Sequence, residues 1–311
     1  MKLAAAILIA LPIAAPALAH GGDAIAPAAL WAEWRPDPLV AILLAGVAAA
    51  YGTGLARLWR RAGSGRGVRR LEGLAFGAGI AALAVALVSP LETATGTLLT
   101  AHMIQHVLLI ALAPPLLLAG RPDAALAFAL PGSSRRALSA SLLGSLVTLL
   151  RRLARPGSAA LLHAAAIWVW HAPSPFQAAL DSRILHDVEH ASFFLTALLF
   201  WQSVLVAARS PATRIAAILA TLATLIHSGA LGALITLSAR PVYTDDEASR
   251  LWGLSPLEDQ QLAGLVMWVP AGAVYLLAGL LLAARLIGSE EPAEPERVQT
   301  RPQPHERPAA G

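Results

Sequence analysis

Four histidines carry the clearest chemical signal in the chain. His102 and His106 are four residues apart, and so are His186 and His190. On a helix such residues share one face, about 5–6 Å apart, so each pair can grip one metal ion. His171 and His227 sit in other apolar segments, and the topology read below brings all six to one level. Imidazole suits copper, zinc, iron and nickel, and histidines on facing helices can also hold a haem. The plain alternative for any single one is a histidine hydrogen-bonded to a neighbour inside the bundle. Six at one depth argue against it, because a buried imidazole without a partner is costly.

Weaker candidates surround this set. Asp187 and Glu189 lie between the paired histidines, off their shared face, and are expected to orient ligands on neighbouring helices. His186-Asp187-Val188-Glu189-His190 also fits the H-x-x-E-H pattern of zinc peptidases, with Glu189 as base. Asp259 opens the last apolar run, as a site residue or as a helix N-cap. Met103 and Met267 are soft thioethers at the right depth, although methionine there is more often packing. His163, two turns deeper than His171, is left out of the set.

The elements that must hold these residues are membrane helices. Of 311 residues, 57% are hydrophobic and 14% charged, and the mean hydropathy is +0.62. A soluble domain carries about 25% charged residues, so the composition excludes a water-soluble globule. With no cysteine, disulfide scaffolds and thiolate metal sites are excluded too. The pI near 10.3 does not mean nucleic acid, because the basic residues sit between apolar runs.

Seven apolar runs follow an N-terminal signal: Pro38–Trp59, Leu71–Ser89, Thr95–Gly120, Ser158–His171, Ile184–Ala208, Ala212–Ser238 and Gln260–Ile287. Lys2, an apolar stretch and Ala17-Leu18-Ala19 read as a secretory signal over residues 1–19, cut after Ala19. That cut makes His20 the new N-terminus, where His20-Gly21-Gly22 reads first as a flexible exit and second as a chelating amine and imidazole pair. Arginines crowd the loops after the first and third runs, which places those loops in the cytoplasm. The expected fold is an all-α membrane protein: a domain over residues 20–288 with seven transmembrane helices, N-terminus outside and C-terminus cytoplasmic. The histidines then lie in the periplasmic half. Pro114-Pro115 is expected to break or kink the third run. The short apolar segment within residues 135–152 reads as a cytoplasmic interfacial amphipathic helix. Residues 289–311, rich in Pro, Glu and Arg, read as a disordered tail.

Several spaced motifs, in order, resemble the CtaG-like family of cytochrome c oxidase assembly factors. They are His102-Met103-Ile104-Gln105-His106, Ala113-Pro114-Pro115-Leu116 and Gly120-Arg121-Pro122, then His171-Ala172-Pro173 with Phe176. Leu185 to His190 follows, with Phe193 and Phe200-Trp201, then Asp259-Gln260-Gln261-Leu262-Ala263-Gly264 with Met267-Trp268. Ala19-His20-Gly21-Gly22 and Trp34 look similar as well. The resemblance implies a multi-pass protein of the bacterial inner membrane that is not an enzyme. It implies copper as cargo, placed in the oxidase's catalytic subunit, with a periplasmic copper chaperone as a further partner and no nucleic acid. A haem protein, an intramembrane zinc metallopeptidase and a copper importer are the alternatives that the residues leave open.

Overall fold

The computed structural model describes residues 24–34, 36–129, 153–243 and 247–288. The signal segment 1–19, His20, the interfacial helix expected over 135–152 and the tail 289–311 lie outside the described residues. Among the described residues the chain is helical, with no strand. Its principal helices are α1 (Pro38–Ala62), α2 (Arg70–Leu87, prolonged by Pro90–Ala94), α3 (Leu99–Ala119), α4 (Pro156–Trp170), α5 (Arg183–Ala207), α6 (Pro211–Thr236) and α7 (Pro256–Ile287). Every apolar run is therefore helical.

Six of these helices are long and apolar enough to cross a membrane; α4 is the exception. Its 15 residues span about 22 Å at 1.5 Å each, short of a hydrocarbon core of about 30 Å. The fourth run, expected as a span, is thus a shorter helix that starts at Pro156 and ends where His171 caps it.

Helix starts follow local chemistry. Proline occupies the first turn of α1, α4, α6 and α7, where its missing N–H costs nothing. Asp37 caps α1 by accepting from Leu39 N at 2.8 Å. Ser255 and Glu258 form a capping box on α7.

Pro114-Pro115 does not break α3. The helix widens into a π-turn over Leu108–Leu112, then continues through both prolines to Ala119. Proline 114 cannot donate to the carbonyl four residues earlier, Ile110 O. The Trp201 indole donates to that carbonyl instead, at 3.0 Å. The loss of one backbone bond is offset by a side chain from α5.

Packing sets which helices are central. The most apolar stretch of α3 is 61% buried and that of α5 is 56%, against 22% for α1 and α7. The helices carrying the paired histidines are the enclosed ones. Helices α6 and α7 meet backbone to backbone: a Cβ added at Gly264 would lie 2.5 Å from Thr236 Oγ1 and 2.8 Å from Gly232 O. Small residues permit that approach, as in membrane helix pairs generally. The core is aromatic on both sides of α3. Tyr51 stacks on Phe76 at 3.7 Å, and Trp201 stacks on Tyr275 at 5.3 Å.

Candidate metal centre

The starts of α3 and α5 and the end of α4 come together at one end of the bundle. His102 and His106 face each other at 4.2 Å between ring centroids, and His186 and His190 at 4.0 Å. Across the helices, His102 is 5.3 Å from His186, His106 is 5.4 Å from His190, and His106 is 5.5 Å from His171. All five rings are buried. Phe176 lies against His102 at 5.3 Å and Phe193 against His106 at 4.7 Å, which keeps the rings in place.

Glu189 lies inside this group. Its carboxylate oxygens are 3.7 Å from His106 Nε2 and 3.9 Å from His102 Nε2, and its side chain is 0% exposed. The sequence reading set Glu189 off the histidine face. The correction is geometric: Glu189 follows His186 by three residues, and i,i+3 residues are neighbours on a helix. One ligand atom each from His102, His186, Glu189 and His190 lies within 4.8 Å of every other.

Several of these atoms lack a hydrogen bond. Both ring nitrogens of His106, both oxygens of Glu189 and His171 Nε2 are buried without one. Each such group costs about 1–3 kcal/mol, more when charged. His171 is poised in a particular way. Its Nδ1 lies 2.8 Å from Ile167 O. A carbonyl only accepts, so Nδ1 carries the proton and Nε2 keeps its lone pair. This is the arrangement in which a backbone carbonyl orients a metal-binding imidazole. The donor set of His102, His186, Glu189 and His190 fits a cation, and a cation there would supply a partner to the Glu189 carboxylate.

Asp259 acts on the centre through α3. The N-cap of α3 is Leu98, which has no side-chain acceptor. Asp259, 1% exposed, takes that role from α7: it accepts from Leu99 N at 2.7 Å, Thr100 N at 3.0 Å and Thr100 Oγ1 at 2.6 Å. It is an N-cap, but of a different helix from its own, and it pins the turn from which His102 projects.

The remaining candidates lie elsewhere. Asp187 accepts from Arg183 Nε at 2.9 Å, and Arg183 reaches Asp37 at 3.6 Å. Met103 is buried with Phe176 and Ala263, and Met267 lies in the main core with Phe193 and Ala271. His227 stands apart from the five rings, its Nδ1 accepting from the Trp168 indole at 3.3 Å. His163 forms a separate buried group, with Nδ1 3.0 Å from Thr196 Oγ1 and Nε2 3.3 Å from Tyr275 OH.

Tyr243, which the sequence does not single out, and Gln105 of the family motif adjoin the centre. Tyr243 donates to His171 O at 3.1 Å and packs on Phe176 at 4.2 Å. Burial raises its phenol above the ordinary value, and the Glu189 charge adds to this. Gln105 turns away from the rings, donating to Ala86 O at 2.8 Å and to Glu92. No local spacing points to Tyr243, which comes from the loop before α7.

Fold and centre together define a multi-pass helical membrane protein with a buried histidine–carboxylate cluster at one end of its bundle. A family model described as cytochrome c oxidase caa3 assembly factor (Caa3_CtaG) matches residues 49–289. The chain belongs to that family, and every residue of the cluster falls within the match. No curated protein and no solved structure matches it.

Proposed function

We propose that this protein serves oxidase assembly by holding copper at His102, His106, His171, His186, His190 and Glu189 and passing it to the oxidase's catalytic subunit. The carrying observation is the convergence of five histidines and a carboxylate, several of them lacking hydrogen bonds, in one buried site. Nitrogen donors favour copper over zinc in the affinity order. With no thiolate in the chain, copper is held less tightly than by a cysteine chaperone, which suits a donor.

The proposed setting is a bacterial inner membrane, with the N-terminus outside and the centre in the periplasmic half. Helix α4 then serves as a short seventh span. The arginine distribution supports this orientation. His227, Met103 and Met267 have no part in the proposed copper set, and Asp259 has a positioning part only.

Metal analysis and an absorption spectrum of the detergent-purified full chain test the reading. Bound copper without a Soret band is expected. The rings meet one another edge-on or tilted, a packing that suits an ion among nitrogens rather than a flat macrocycle between two of them, and a Soret band would replace copper with haem. Absence of copper after loading would defeat the proposal.

One observation favours a second reading. Glu189, the general base of an H-x-x-E-H zinc peptidase, lies among the rings rather than beside them. Zinc in place of copper, together with cleavage of a membrane peptide lost in Glu189→Gln, would establish it.

A further inference from the structure

A cavity of about 230 Å³ runs from the surface to the centre. Its base is formed by His102 and His186, which are 1% and 3% exposed. Its outer wall carries Gln177 and Asp181, both exposed, and Gly96 at the turn before α3. Thr95, Thr97 and Ser249 add hydroxyls between mouth and base. A polar passage with an anion at its mouth and imidazoles at its end is what a cation needs to exchange water for ligands in steps.

A second cavity also touches the cluster, at His190. It is smaller, about 70 Å³, and mostly apolar, lined by Val40, Leu44, Leu83 and Phe194 among others. Its charged lining is mixed, Glu92 and Asp187 with the Arg183 guanidinium, which Asp187 holds at 2.9 Å and Asp37 at 3.6 Å. Its small volume and apolar walls, not its charge, make it the poorer route for a hydrated cation.

We infer that the larger cavity is the aqueous entrance to the centre: a cation enters past Asp181 and Gln177 and reaches His102 and His186 first. Asp181 steers the ion and is not a ligand in the loaded state. The inference rests on the proposed function only for the identity of the cation.

The funnel can be plugged without disturbing the core. Nothing lies within 4 Å of a Cβ placed on Gly96, so the backbone there has room for a side chain, and Gly96→Phe is expected to narrow the passage. Gln177→Trp, at an exposed position of the same outer wall, is the second plug should the first variant fold poorly. Two readouts on the full chain in detergent decide the matter. The first is carbethoxylation of His102 and His186 by diethylpyrocarbonate in the metal-free protein, read residue by residue by mass spectrometry. Both plugs should protect these two histidines. The second is loading with cupric ion, followed by stopped-flow tryptophan quenching. The plugs should slow uptake and release by the same factor, roughly tenfold or more, with Kd unchanged. Asp181→Asn should slow uptake severalfold at low salt, and less as salt rises. Wild-type modification and loading rates in both plugged variants would overturn the funnel. A protein that binds no copper but whose plugs protect His102 and His186 would overturn the copper proposal and uphold the entrance.

Discussion

Two groups of buried histidine occupy this bundle, and they differ in one respect. His163, fully buried, is satisfied on both nitrogens by Thr196 and Tyr275 and stacks on Phe200 at 5.5 Å. The cluster at the bundle end is just as buried, yet His106, Glu189 and His171 Nε2 have no hydrogen bonds there. Burial alone does not separate structural from functional histidines; satisfaction does. The first group stabilises the fold as it stands. The second lowers stability until something positive arrives.

The contrast can be broken most directly at the cluster. Replacing His106 and His190 together by Ala should abolish copper binding in metal analysis and lower the copper-to-haem ratio of the oxidase. Full retention of metal would mean that the cluster is merely structural. Glu189→Gln keeps the shape but removes the charge, and should weaken copper binding on the order of 10–100-fold, the range typical of altered metal-site partners. Unchanged affinity in a titration would take Glu189 out of the copper set.

At the other group the expectation reverses. His163→Ala should leave copper content intact but destabilise the protein by about 2–4 kcal/mol, through an emptied site and the lost partner of the Tyr275 hydroxyl. A thermal-unfolding midpoint equal to wild type would erase the distinction. Asp259→Ala sharpens the link between fold and site. Losing the cap on α3 should cost about 1–2 kcal/mol and loosen His102, so copper weakens by less than in Glu189→Gln. The smallest effect belongs to Met103→Leu, a volume-conserving change costing under about 1.5 kcal/mol with copper content unchanged. A marked loss of copper there would restore the thioether as a ligand.

The kind of fold was legible because lipid imposes a simple demand. Every backbone polar group must be paired inside its own helix, so long apolar runs announce helices before any packing is known. The two i,i+4 pairs were legible for the same reason: helical periodicity is local. The last run was read from Gln260, whereas its helix starts at Pro256 on the Ser255–Glu258 box, because a polar first turn carries no apolar signal. Where a partner lies far away in sequence, local rules fail. Asp259 caps a helix 160 residues distant, and Trp201 takes the carbonyl that Pro114 cannot use.

By itself, then, the sequence determined a helical membrane protein with paired histidines near the ends of two runs, since composition and periodicity need no knowledge of neighbours. Only the tertiary structure decided which polar atoms meet. It brought Glu189 among the rings, since i,i+3 spacing and the approach of α3 to α5 combine there. It kept His171 in the set, with its proton on Nδ1 against Ile167 O, and set His227 beside Trp168 instead. Hydrogen bonds and metal sites depend on ångström-scale contacts between helices, and those arise only when the helices pack.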